Sequence, residues 1–224
     1  MLLAAGEGRR LGGPKALLDW GGCPLVAHQV RLLAGRTDPV VVVVGASAAA
    51  ARAAVPPVPG VLVVENRDWA TGRAGSLCAG AGALPAGTPA VLVVNVDQPL
   101  IAGVVDDLLA AAAVLLPPAG DAAFVQPAWA GRRGHPVMVA GNLLPELAAV
   151  GDQTLGLRAV LNRYWRRGIA WAVTTPAVLA DLDDRQAYRR WIDELLPEGG
   201  PGTLVRGPGH TEMGSGATCP PDLH

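Results

Sequence analysis

Five consecutive valines, Val40 to Val44, constrain this chain more than any other feature. β-Branched side chains favour extended backbone, and successive residues of a strand point to opposite faces. A strand that is apolar on both faces must be covered on both, as when helices lie over a parallel sheet. Apolar runs at Leu2 to Ala5, Val61 to Val64 and Ala90 to Val96 repeat the pattern. Helical segments alternate with them. Val26, Val30 and Leu33 share one face of a segment opening at Pro24, and Ala48 to Ala54, Gly75 to Leu84 and Val104 to Leu116 follow. The alternation predicts one three-layer α/β/α domain over residues 1–196, its sheet mostly parallel with right-handed crossovers.

After Pro117-Pro118 the pattern changes. Ala122 to Gln126 and Pro136 to Ala140 flank a turn containing Gly131, Arg132, Arg133, Gly134 and His135, which predicts a small antiparallel excursion. Thr154 to Tyr164 reads as a helix, Ile169 to Val173 as a strand and Asp184 to Leu195 as a last helix. Residues 197–224 are rich in Pro, Gly, Ser and Thr and predict a disordered tail without a catalytic role.

Half of the 224 residues are hydrophobic, 17% are charged and the net charge is -1. No basic field marks a nucleic-acid or anionic-membrane partner, so any anion site must be local. The first residues carry no basic segment before a short apolar run, and no stretch reaches the roughly 20 apolar residues of a membrane span. A cytoplasmic location is expected. Cys23, Cys78 and Cys219 lack the paired spacing of a zinc site.

Strands of a parallel sheet deliver chemistry at their carboxyl ends. The run Leu2 to Ala5 opens directly onto Gly6-Glu7-Gly8-Arg9-Arg10-Leu11-Gly12-Gly13-Pro14-Lys15. Glycines let backbone N–H groups approach phosphate oxygens, and Arg9, Arg10 and Lys15 add charge to neutralise a polyphosphate. Lys15 is the one lysine among 18 basic residues, a compact ammonium where the chain otherwise uses guanidinium groups. A dinucleotide fingerprint needs a glycine where Leu11 stands, which speaks against a nicotinamide-dependent dehydrogenase. A P-loop fails too, because Pro14 intervenes before Lys15 and Ala16 has no hydroxyl for a metal.

The segment from Leu3 to Lys15, with its Ala-Ala-Gly-x-Gly-x-Arg-x-Gly-Gly-x-Lys pattern, resembles the signature loop of the MobA-like nucleoside triphosphate transferases. Within that superfamily it is most similar to the molybdenum cofactor cytidylyltransferase branch. The resemblance extends over roughly Met1 to Leu195 and implies a Rossmann-like domain of the nucleotide-diphospho-sugar transferase type. It implies that Leu3, Ala4, Ala5 and Gly6 approach the base and ribose, and that Gly8, Arg9, Arg10 and Lys15 hold the phosphates. Ala4-Ala5-Gly6, where guanylyltransferases usually carry Ala-Gly-Gly, leans toward CTP over GTP.

Asp97 ends the strand run Ala90 to Val96 and precedes Gln98-Pro99. A carboxylate there suits a hard cation, or simply caps the turn before Pro99. The resemblance to the family's metal-binding Asp-x-Pro motif implies Mg²⁺ on Asp97. The cluster Asp181-Leu182-Asp183-Asp184 precedes the last helix, where acidic residues also stabilise a helix start. Asp181 and Asp183 alternate along an extended segment and so share a face. By similarity to the family's Asp-Ile-Asp-Thr-Pro segment, Asp183 is the expected second metal ligand, although Asp184-Arg185 replaces Thr-Pro.

Arg133-Gly134-His135-Pro136 resembles the Arg-Gly-His-Pro segment of the cytidylyltransferase branch, which implies acceptor binding by Arg133, Gly134 and His135. Asn66 to Ser76 is similar to the family's Asn-x-x-Trp-x-x-Gly-x-x-x-Ser, so Gly75 and Ser76 are expected to read a base or an anion. Asp152 matches a family Gly-Asp-x-Gly-x-Arg segment at altered spacing and is a further acceptor-binding candidate.

The implied activity transfers a nucleoside monophosphate, CMP from CTP first, to a phosphorylated acceptor, molybdopterin first, with release of pyrophosphate. Lys15, Asp97 and Arg10 are the expected catalytic groups. A sugar phosphate or other alcohol phosphate as acceptor and a non-catalytic nucleotide-binding cofactor chaperone are the alternatives. A molybdoenzyme or its chaperone is the expected protein partner.

Overall fold

The computed structural model describes residues 1–151 and 155–196. Seven strands in sequence run build one sheet: β1 (Leu2–Ala4), β2 (Val40–Val44), β3 (Val61–Glu65), β4 (Ala90–Asn95), β5 (Phe124–Trp129), the two-residue β6 (Arg132–Arg133) and β7 (Val137–Ala140), joined by an eighth, β8 (Gly168–Ala172). The helices are α1 (Leu25–Ala34), α2 (Ala48–Ala54), α3 (Arg73–Gly82), α4 (Ala102–Leu115), α5 (Leu144–Ala148), α6 (Leu157–Arg163) and α7 (Arg185–Leu195).

The order along the sheet is β3-β2-β1-β4-β7-β5-β6, with β8 beside β5. β1 lies parallel to both β2 and β4, and β2 parallel to β3. The expected antiparallel pair is present: Phe124 faces Val139 and Val125 faces Met138. β7 also pairs antiparallel with β4, from Ala90↔Ala140 to Val93↔Val137, so the excursion is wedged into the middle of the sheet. β8 then runs parallel to β5.

All five valines of β2 are at most 1% exposed. At roughly 1.5–3 kcal/mol per fully buried aliphatic side chain, this strand is a principal source of stability. β4 shows how one strand serves two cores. Leu92 and Val94 join the layer of α1, α4 and α7, whereas Val91 and Val93 join the layer of α3, α5 and α6. On the second face α3 comes close enough that a Cβ on Gly80 would stand 2.9 Å from Val43 Cγ2. No helix among the described residues is long and apolar enough to cross a membrane. The segment 197–224 and Asp152 lie outside the described residues.

Candidate active site

Where β1 and β4 end, their loops diverge and open a crevice of about 510 Å³. The glycine loop forms one wall. Gly8 has φ 67°, and a Cβ there would stand 2.0 Å from the carbonyl oxygen of Gly13. The Gly8 carbonyl accepts from the N–H groups of Leu11 (3.0 Å) and Gly13 (3.4 Å), while buried Leu11 anchors the turn in the core. The loop therefore closes on itself with its backbone bare toward the crevice. Across the opening, Gly45 makes room for Trp69, because a Cβ on Gly45 would lie 2.7 Å from the Cβ atoms of both Ala5 and Trp69.

Lys15 emerges on the single turn Lys15–Leu17 and reaches the carboxylates of the opposite wall. Its Nζ donates to Asp97 Oδ2 at 2.8 Å and to Asp183 Oδ1 at 2.9 Å, and Asp181 Oδ1 lies 3.9 Å away. Burial alone would lower the Lys15 pKa. The hydrogen bonds and charges of Asp97 and Asp183 outweigh it and hold the pKa above its ordinary value. Asp183 shifts down, chiefly through the hydrogen bond from Lys15. Asp181 moves the other way: burial first, then the charges of Asp97 and Asp183, push its carboxyl up to about 6.

Two buried interactions fix Asp97. Gln29, wholly enclosed on α1, donates from Nε2 to the carbonyls of Val96 (3.0 Å) and Gln98 (3.2 Å). The Leu182 N–H donates to the Asp97 carbonyl at 2.8 Å. Buried Leu182 turns into the core, so its neighbours Asp181 and Asp183 turn outward together. Single oxygens of Asp97, Asp181 and Asp183 lie within 4.8 Å of one another, a donor set of hard oxygens suited to a divalent cation. The ammonium already standing among them shows that the arrangement accepts positive charge there.

Of the expected site residues, Leu3, Ala5, Gly6, Gly8, Arg9, Arg10, Lys15, Ser76, Asp97 and Asp183 all line this crevice. The Ala4 side chain faces the core. Ser76 accepts from Asn66 Nδ2 at 3.0 Å, and Gly75 sits behind it, its absent Cβ 3.3 Å from that same nitrogen.

The Arg133-Gly134-His135 turn does not line the crevice, and its residues divide. Arg133 points away: its guanidinium stacks 4.2 Å from the Trp165 ring centroid and donates to the Gly168 carbonyl at 3.0 Å. Residue β pairing explains this, because Arg133 faces Ala128 across the ladder and so lies over the Phe124 face of β5. Gly134 is a packing glycine, since a Cβ would stand 2.2 Å from the Val178 carbonyl oxygen. His135 donates its N–H to that carbonyl at 2.8 Å. Burial lowers its imidazole pKa, with Asp97 opposing and Arg73 adding to the shift, so the ring is neutral near pH 7.

Sequence reasoning singled out neither Arg73 nor Gln29, and it put Asp181 on the face of Asp183 without giving it a ligand role. Arg73 lines the crevice at the first position of α3. Asp181 joins the carboxylate cluster. Gln29 supports the Asp97 loop, and its polar side chain on the apolar Val26-Val30-Leu33 face of α1 was the available signal.

Comparison with known proteins agrees with this geometry. The model of the MobA-like NTP transferase domain matches residues 1–168. A nicotine blue oxidoreductase of Paenarthrobacter nicotinovorans is 36% identical over 168 residues, covering 73% of this chain and 80% of that protein. A molybdenum cofactor guanylyltransferase of Pseudomonas aeruginosa is 49% identical over 43 residues, 19% of this chain and 22% of that one. Among solved structures, Rv0371c of Mycobacterium tuberculosis superposes with TM-score 0.68 at 25% identity, covering 86% of this chain and 95% of that one. A manganese complex of Rv0371C (TM-score 0.59, 22% identity, 86% and 96% covered) shares the fold. So does the 2-C-methyl-D-erythritol 4-phosphate cytidylyltransferase of Thermus thermophilus (TM-score 0.60, 21% identity, 87% and 96% covered). With its glycine loop, lysine and strand-end carboxylate on one crevice, and with the domain model matching three quarters of its length, the chain belongs to the MobA-like NTP transferase family.

Proposed function

We propose that this protein is a nucleotidyltransferase that moves CMP from CTP onto a phosphorylated acceptor, molybdopterin first, and releases pyrophosphate. The observation that carries the reading is the meeting of Lys15 with Asp97, Asp181 and Asp183 beside the glycine loop. An acceptor phosphate oxygen attacks the α-phosphorus in line, the Pα–O bond to the β-phosphate breaks, and pyrophosphate departs with its electron pair. Such a transfer needs positioning and charge neutralisation rather than a covalent enzyme intermediate.

The bare backbone from Ala5 to Gly8 takes the nucleoside and phosphates, and Arg10 adds positive charge along them. Lys15 leaves its carboxylates for the α-phosphate and opposes the charge that accumulates there. Asp97, with Asp183 and Asp181, holds Mg²⁺, which when bound neutralises phosphate oxygens and polarises the phosphorus. Manganese in the Rv0371C complex supports a divalent ion in this fold. His135, whose imidazole senses the charge of Asp97, is in this reading the donor to the acceptor phosphate. CTP is favoured by Ala4-Ala5-Gly6 at the base-binding turn. Pyrophosphate release from CTP, GTP, ATP and UTP, each with and without molybdopterin and with a sugar phosphate, tests donor and acceptor together. CTP with molybdopterin should be fastest. Tight CTP binding with no turnover on any acceptor would instead mark a cofactor chaperone.

A second reading, oxidoreduction, is favoured by the nicotine blue oxidoreductase relative. It would place a nicotinamide cofactor in the same crevice and leave the three carboxylates around Lys15 without a task. Binding of NADH or NADPH, followed by nicotinamide fluorescence, separates the two readings.

A further inference from the structure

Arg185, the first residue of α7, brings a further cation to the glycine loop from the far end of the sequence. Its Nη2 lies 3.7 Å from where a Cβ on Gly12 would stand. Gly12 closes the Arg9–Leu11 turn in a left-handed conformation, φ 79°, so the guanidinium faces bare backbone of the turn whose Arg9 and Arg10 line the crevice. Among the described residues, the carboxylates of the glycine loop and of the two positions before Arg185 have other partners. Glu7 pairs with Arg9 at 2.7 Å, Asp183 pairs with Lys15, and Asp184 accepts from the N–H groups of Gln186 and Ala187. Among the described residues Arg185 is exposed and takes part in no ion pair or hydrogen bond. Its backbone is nevertheless fixed. The Asp184 cap starts α7, the Asp183 carboxylate meets Lys15, and the Leu182 N–H bonds the Asp97 carbonyl.

A guanidinium held beside glycine backbone without a carboxylate is a ready partner for phosphate oxygens, which it grips with two parallel N–H groups. Lys15 and Arg10 serve the inner part of a bound triphosphate. A triphosphate laid along the glycine loop toward Gly12 would bring its outer phosphates, where charge accumulates as the Pα–O bond breaks, to this guanidinium. We propose that Arg185 binds the terminal phosphates of the nucleotide and holds pyrophosphate as it leaves. The inference rests on the nucleotidyl-transfer reading and gives the segment Asp181 to Arg185 two tasks: carboxylates toward the reacting phosphorus and a cation toward the leaving group.

The test is calorimetric binding of inorganic pyrophosphate, inorganic tripolyphosphate, CMP and GMP to the full chain with Mg²⁺ present, which makes it independent of base preference. Arg185→Ala should weaken pyrophosphate and tripolyphosphate about tenfold, the worth of one charge-assisted contact, and leave the monophosphates unchanged. Arg185→Lys should retain part of the loss. Equal affinity of wild type and Arg185→Ala for pyrophosphate overturns the inference, as does an equal loss for all four ligands, which would mark general damage. A wild-type chain that binds neither pyrophosphate nor tripolyphosphate overturns the nucleotidyl-transfer reading itself, and the inference with it.

Discussion

The backbone N–H of Leu182 donates to the carbonyl oxygen of Asp97 at 2.8 Å, joining two acidic segments that are far apart in the chain. Because Leu182 is buried, the bond sets the direction of both its neighbours, and Asp181 and Asp183 turn out beside Asp97 on the same wall. Three carboxylates so close would repel one another, and Lys15 supplies the compensating charge at 2.8–3.9 Å.

That placement makes Lys15 a competitor of the divalent ion in the nucleotide-free protein. Lys15→Met should therefore bind Mn²⁺ several-fold more tightly than wild type without nucleotide, while turnover falls at least 100-fold, about 3 kcal/mol. Electron paramagnetic resonance titration of free Mn²⁺ measures the first and pyrophosphate release the second. Unchanged or weaker Mn²⁺ binding would show that the ammonium and the ion do not share the space.

Asp97→Asn should cost at least about 100-fold in turnover and abolish ion binding, since Asp97 is the best-fixed member of the cluster. Asp183→Asn should lose ion affinity less severely, its side chain being 50% exposed. The same Mn²⁺ titration ranks them.

Ion affinity should also depend on pH. Asp181 keeps its proton up to about 6 and must release it before it can ligate. Affinity is then fully present above that pH and is lost as the pH falls through it, by up to about tenfold per unit for one proton. Asp181→Asn should flatten the profile between pH 5 and 7, which calorimetry at a series of pH values would show.

The two polar side chains of the Arg133-Gly134-His135 turn should behave differently. Arg133→Ala loses the stacking on Trp165 and the bond to Gly168, and should lower stability by about 1–2 kcal/mol with little change in acceptor KM. His135→Ala should raise acceptor KM and spare stability. Thermal denaturation and acceptor titration distinguish the two.

The loop from Gly6 to Lys15 and Asp97 were legible because a glycine run and a strand-end carboxylate carry their chemistry locally. β1 to β4 were legible for a similar reason, since apolar runs of β-branched residues leave few alternatives. Pairing was not. Nothing in Val137 to Ala140 states that it inserts beside β4, because four buried residues fit an interior position next to several partners. The direction of Arg133 escaped notice because it follows from the register with Ala128. The shared face of Asp181 and Asp183 was legible from their alternation, but not their place beside Asp97, which the hydrogen bond from Leu182 to the Asp97 carbonyl sets.

The most direct test is a crystal structure with Mn²⁺ and a non-hydrolysable CTP analogue. The account predicts an anomalous manganese peak on Asp97 with Asp181 or Asp183, the triphosphate along Gly6 to Gly13, and Lys15 Nζ moved from the carboxylates to the α-phosphate. A nucleotide bound elsewhere, or Lys15 still bridging Asp97 and Asp183 beneath it, would contradict the account.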